Sequence, residues 1–191
     1  LDTTGQLVVA SQLANDLSVS GRTVLRYLEL CEEIFLIKRI PAWSSTLAKR
    51  VISSPKVAFV DSVIAAYLLG QSSRRLRELT STTIGPLLEG FVLMELARQL
   101  TWAEEEIRLH HYRTKDGVEV DAVLETNDGR IAGVEVKASA TVTGADFKGL
   151  RHLQSQAGEM FTAGVVLYVG DASLSFGPRL KALPISALWW L

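Results

Sequence analysis

Cysteine is nearly absent: Cys31 stands alone in 191 residues, so no intramolecular disulfide can form, and no CxxC or nearby Cys/His spacing suggests structural zinc. A lone thiol fits a reducing cytoplasm, and its expected role is helix packing. No apolar run approaches the roughly 18 residues of a membrane span, and the opening "LDTTGQLVVA" lacks the basic-then-apolar order of a signal peptide. A soluble cytoplasmic protein is expected. Neither charge sign dominates: 20 basic residues face 21 acidic ones, a net charge of −1, so any nucleic-acid partner must be met by a local patch. A phosphate-binding loop GxxxxGK[ST] is missing too; "SGRT" at 20–23 lacks the leading Gly and the Lys, so no ATP site is expected in these residues. The first residue is Leu1 rather than Met, which suggests a piece of something longer. There is no internal repeat and no low-complexity segment. What is present is 48% hydrophobic residues, enough for a substantial core in one domain or two small ones.

Helical spacing begins at "SQLANDLSVSGRTVLRYLELCEE". Ser11 is the expected cap of a first helix carrying Leu13, Ala14 and Leu17, and Ser20 of a second carrying Val24, Leu25, Tyr27, Leu28 and Cys31. Two helices on a tight turn make a helix-turn-helix. "FLIKRIPAW" and "KVAFVDS" read as strands, and the polar "SSTLAKRVISSP" between them reads as a wing, so residues 1–75 are expected to form a winged helix with a short linking helix, "SVIAAYLLG". The boundary falls between 70 and 84. Residues 76–191 then read as helix, three strands, helix and strand, with a tail that adds one more strand.

The stretch "VEVDAVLETNDGRIAGVEVKAS" reads as a hairpin turning at Asn127 to Gly129. A three-residue loop sets Asp121 opposite Glu135 and Glu119 opposite Lys137, all four on one face. Val118, Val120, Ala122 and Leu124 then point inward on the other face. Opposed carboxylates repel unless a cation lies between them. A hard divalent cation such as Mg²⁺ (or Mn²⁺) needs only one or two protein carboxylates besides water and phosphate oxygens, which Asp121 and Glu135 can supply. Glu89 on the preceding helix is a candidate third acid, and Lys137 can orient water or stabilise charge on a phosphate. The competing reading is a solvated face with a Glu119–Lys137 ion pair, which spacing alone leaves equally open.

The D-x13-ExK spacing on consecutive strands, the acid on the preceding helix and the αβββαβ order resemble the PD-(D/E)xK nuclease superfamily. Over nearly the whole chain, "GPLLEGFVLMEL", "HYRTKDGVEVDAVLE", "GVEVKAS", "DFKGLRHL" and "LPISALWW" are similar to a C-terminal domain of unknown function found behind AAA+ ATPase modules in bacteria and archaea, where a winged helix precedes a nuclease-like fold. The resemblance implies an α/β (α+β) chain: an N-terminal winged helix-turn-helix, then a PD-(D/E)xK nuclease-like domain with a mixed central sheet. It implies an ATPase domain upstream, and metal ligands Asp121 and Glu135 with Glu89 as the helix acid. Lys137 becomes the catalytic lysine, and phosphodiester cleavage becomes a possible activity. Val120 stands where the name-giving motif has Pro, a position that varies widely. A silent scaffold that regulates the ATPase is the alternative.

In the winged helix, Arg22, Thr23 and Arg26 begin the second helix, where a major groove could be reached. Lys38, Arg39, Lys49, Arg50 and Lys56 form an acid-free stretch able to follow a phosphate backbone. DNA contact and pure coupling to the ATPase are equally compatible with this pattern, and an oligomer is possible. His110 and His111, adjacent on a strand, point to opposite faces and do not make a two-ligand site. Lys148, Arg151 and Ser155 read as a solvated helix face. Trp189 and Trp190 read as packing residues.

Overall fold

The computed structural model describes residues 10–46, 54–71 and 84–190. Helices α1 (Ala10–Leu17) and α2 (Gly21–Glu33) meet at a tight turn in which Ser18 takes a positive φ of 55°. Ser20 caps α2 as its sequence position requires: its Oγ accepts the Thr23 N–H at 3.1 Å, satisfying a backbone donor that the helix leaves unpaired. Ser11 is not a cap, because α1 already includes it. Strands β1 (Ile37–Ile40) and β2 (Lys56–Phe59) pair antiparallel, and Leu28 and Cys31 of α2 pack on Ile37 and Val57. Cys31 therefore has the packing role expected of it. The proposed wing, with Lys49 and Arg50, lies largely outside the described residues. Helix α3 (Ser62–Leu68) starts at Asp61, whose Oδ1 accepts the Val63 N–H at 2.7 Å, and gives way to Gly70 at φ 65°.

Helix α4 (Ile84–Gln99) is apolar on most of its circumference and correspondingly buried through Leu87, Val92, Leu93, Met94 and Leu96. It stops at Gln99, short of the end of the helical stretch "GPLLEGFVLMELARQLTWAE" that the sequence suggests. Six strands follow: β3 (Ile107–Arg113), β4 (Glu119–Thr126), β5 (Ile131–Lys137), β6 (Phe161–Tyr168), β7 (Leu174–Gly177) and β8 (Leu180–Pro184). They form one mixed sheet in the order β3-β4-β5-β6-β8-β7, antiparallel from β3 to β5, parallel from β5 through β6 to β8, and antiparallel again at β7. Helix α5 (Lys148–Ala157) supplies the crossover between parallel β5 and β6. The chain is thus a mixed α+β structure in which α4, three strands, α5 and a fourth strand follow one another as expected. The tail forms two strands where one was expected, and ends in a 3₁₀ turn at Ile185–Trp189.

Both faces of the sheet are covered. On one side α4 packs with Ala122, Leu124, Val134 and Leu167; on the other, Leu150 and Leu153 of α5 pack with Val120, Val123, Ile131 and Val166. The expected hairpin register holds from Ala122 opposite Val134 to Glu125 opposite Ile131, where the ladder stops, so the expected Asp121–Glu135 and Glu119–Lys137 pairings are not part of it. Gly129 at φ 85° closes the turn. The expected single inward face is not observed. His110 pairs with Val123 and Tyr112 with Val120, so Asp121 and Ala122 together face His111. This bulge breaks the alternation and sends Val120 and Ala122 into different cores.

Candidate functional site

Five charged side chains from four elements converge where β4 and β5 part. The β4–β5 ladder ends at Ala122 and Val134, and beyond it the Asp121 carboxylate replaces the missing rung: Oδ2 accepts the Val136 N–H at 2.9 Å. Oδ1 lies 3.1 Å from Nζ of Lys56, which also ion-pairs with Glu89 of α4. Lys56 is 4% exposed and Asp121 8%. On β5, Lys137 reaches Oε1 of Glu135 at 3.0 Å, while Oε2 of Glu135 is buried with no hydrogen-bond partner among the described residues. Strand alternation puts Glu135 and Lys137 on the same side as Gly133, which faces Leu150 and Leu153 of α5. Glu89 and Lys56 approach from the α4 side, and Asp121 links the two.

Burial first, then the charge of Asp121, raises the pKa of Glu89 to about 8 and that of Glu135 to about 7. For Lys56 burial opposes the charge, yet attraction from Asp121 and Glu89 outweighs it and the pKa is raised. These directions agree once charges are counted. One ammonium shared by two carboxylates leaves an excess negative charge in a poorly solvated place, which is why Glu89 is driven toward its neutral form. Next to this group, His111 is buried with Nε2 3.2 Å from the Ser54 carbonyl oxygen. Burial, then the charge of Lys56, lowers its pKa to about 4.

Glu89, Asp121, Glu135 and Lys137, the residues expected from the sequence, are therefore neighbours. The inferred cation between carboxylates has a counterpart in Lys56, assigned from sequence to a phosphate-following patch that its burial rules out. The hint was a Lys opening the otherwise apolar strand "KVAF". The expected Glu119–Lys137 pair does not form: Arg113, the cross-strand partner of Glu119, takes that carboxylate at 2.9 Å. Among the described residues no three His, Cys, Asp or Glu side chains gather as a group able to hold a metal. Asp121 and Glu135 offer the two hard oxygen donors that a magnesium-type site needs, and the orphaned Oε2 fits that role. Glu89, engaged by Lys56 on the α4 side, is less suited to it.

Arg22 and Arg26 are exposed on α2, but Glu29 and Glu33 follow on the same face, as their helical spacing requires. The Thr23 hydroxyl bonds to Ser20 Oγ at 2.8 Å in the cap. Lys38 is exposed, whereas Arg39 is tied to Glu32, its Nε 2.5 Å from Oε2. His110 sits 3.3 Å from Glu125, a second buried acid, to which the Trp43 Nε1–H also donates at 3.3 Å. Lys148, Arg151 and Ser155 are exposed as expected. Trp189 packs near Phe91 and donates to Glu95 at 3.1 Å.

A family model described as "Domain of unknown function (DUF4143)" matches residues 84–188. The chain belongs to the DUF4143 family. A second model, "Domain of unknown function (DUF8612)", matches residues 1–75. The uncharacterized proteins Rv2008c of Mycobacterium tuberculosis and Mb2031c of Mycobacterium bovis are each 32% identical over 137 residues, which is 72% of this chain and 30% of each relative. This DUF4143 chain thus aligns with under a third of the length of the curated relatives it matches. No solved structure matches it. No described helix is long and apolar enough to cross a membrane.

Proposed function

We propose that this chain carries a metal-dependent phosphodiester-cleaving site of the PD-(D/E)xK kind, directed at nucleic acid and, in the first instance, DNA. The observation that carries this reading is the convergence of Asp121, Glu135 and Lys137 where β4 and β5 diverge, on a scaffold ordered helix, three strands, helix, strand. Asp121 and Glu135 would hold Mg²⁺ or Mn²⁺, which when bound lowers the pKa of coordinated water and offsets phosphate charge. Lys137 keeps its ammonium beside Glu135, with a third of its side chain open to solvent, and so can meet a phosphate oxygen or orient a water. Glu89, its pKa raised by burial and by the charge of Asp121, would tune the charge of the site through Lys56. A winged-helix reading of the first unit, two helices on a two-stranded ribbon, supplies a duplex contact through Arg22, Thr23, Arg26, Lys38 and, outside the described residues, Lys49 and Arg50.

The test combines calorimetry with a cleavage assay. The parent is expected to bind Mn²⁺ and to nick duplex or branched DNA only when metal is present. Asp121→Asn should lose metal binding, and Lys137→Ala should keep it while slowing cleavage at least about 100-fold, the scale of one lost transition-state contact. Absence of metal binding both in the parent and in a variant with the Lys56 ammonium removed would sink this reading.

Exposed apolar residues favour a second reading. Leu25, Leu30, Ile34 and Phe35 around α2, and Val63, Tyr67 and Leu68 on α3, are all at least 48% exposed. Such a surface suits coupling to another protein module better than contact with phosphates. In that reading a silent nuclease-like scaffold regulates the ATPase part of a longer cytoplasmic chain. Metal-independent DNA affinity unchanged by Arg22→Ala and Arg26→Ala would support it over direct DNA contact.

A further inference from the structure

We propose that Lys56 is a built-in competitor of the divalent cation, by which the N-terminal unit holds the acid site closed to metal. This regulation rests on the reading that Asp121 and Glu135 form a metal site. Three observations carry it. Both oxygens of Asp121 are committed inside the protein, Oδ1 to Nζ of Lys56 at 3.1 Å and Oδ2 to the Val136 N–H at 2.9 Å, so a cation approaching Asp121 must share or displace the ammonium. The ammonium comes from outside the sheet that bears the acids: β2 pairs with β1 in a separate two-stranded ribbon. Finally, the ribbon is held at this point by specific ties. The His111 Nε2 contact to the Ser54 carbonyl oxygen fixes the approach to β2, and the Pro41 carbonyl oxygen accepts the His111 N–H at 2.9 Å beyond β1.

A buried ion pair is weak evidence for a contribution to stability, because desolvating the charges costs about as much as their attraction returns. An apolar residue beside Val57 and Ala58 would serve the core as well. What Lys56 adds is a positive charge beside the acids of a hard-cation site, carried on a strand of the N-terminal ribbon rather than on the sheet that bears the acids. A shift of the Lys56 ammonium away from Oδ1, driven by a partner or substrate on the N-terminal unit, would free Asp121 for the cation, and its return would expel the metal.

The test is calorimetric titration with Mn²⁺ at pH 7.5 of the parent, Lys56→Met, Lys56→Met/Glu89→Gln and Lys56→Met/Asp121→Asn. Lys56→Met alone leaves two buried carboxylates facing each other and can fail to fold; the variant with Glu89→Gln removes that excess charge and then carries the test. Removing Lys56 is expected to tighten Mn²⁺ binding at least about tenfold, and the further loss of Asp121 to abolish it. Equal or weaker binding in a folded Lys56 variant than in the parent would overturn the competitor role while leaving the metal site standing. Absence of binding in every protein, Lys56 variants included, would overturn the metal site itself and the competitor role with it.

Discussion

At the scale of single residues, the site is a set of charges whose protonation depends on who their neighbours are. His111 reports on this directly. Its ordinary pKa of 6.5 falls to about 4 in the fold, because the ring is buried and faces Lys56, with His110 and Arg113 adding like charge. The unfolded chain therefore binds a proton first on acidification. The stability held by neutral His111 is complete above pH 6.5 and is lost as pH falls toward 4. Glu89 and Glu135, shifted upward, act with the opposite sign as pH rises above their ordinary 4.5. The His111 part is isolated by comparing urea stability of the parent and His111→Gln between pH 4 and 7. The gap should narrow toward pH 4, and the imidazole resonances of His111 in NMR should not move until about pH 4. Asp121, Glu135 and Lys137 were legible in the sequence because strand periodicity and a turn fix their spacing. Lys56 was not: its neighbours in the site lie far along the chain, and a Lys among basic residues reads as surface until its burial is known.

Among the secondary-structure elements, the tightest fit is α5 against β4. A Cβ on Gly149 would lie 1.9 Å from the Glu119 carbonyl oxygen and 3.2 Å from a Val120 methyl. In an open helix, Gly→Ala gains up to about 1 kcal/mol. Here the obstacle is strand backbone, which cannot swing aside, and overpacking of this kind costs about 1–3 kcal/mol. Gly149→Ala should therefore lower the urea midpoint by an amount in that range without changing the slope. Gly21→Ala, with nothing within 4 Å, should cause no loss. The same contrast explains which parts of the sheet could be read in advance. Hairpin register follows from turn length and was recoverable from "TNDGR". The bulge opposite His111 was hidden, because β4 is buried on both faces and its apolar residues alternate in no simple way. The second tail strand escaped for a related reason: β7 and β8 are both short, and the place of β8 beside β6 is set by tertiary contacts.

For the whole molecule, the sequence suggested two domains, and two family models divide the chain in a similar place. Yet Ile40 of β1 and Ala58 of β2 lie in the same buried cluster as Val92 and Leu93 of α4, and the Trp43 N–H donates to the His111 carbonyl oxygen at 2.6 Å. Shared core predicts shared melting. Calorimetry should show one transition whose calorimetric and van't Hoff enthalpies agree, whereas independent units would give two. Such coupling would let the acid site respond to events on the N-terminal unit. The bulge on β4 carries one consequence for how such a site is built. Without Asp121, Val120, Ala122 and Val123 would alternate between the two cores as an ordinary strand does. The acid is thus supernumerary to the strand alternation, and its carboxylate fills the rung that the Val136 N–H would otherwise lack. Deleting Asp121 should restore plain alternation to β4 yet strip the Val136 N–H and the buried Lys56 of a partner, so that calorimetry of the deletion variant shows one transition at a lower temperature.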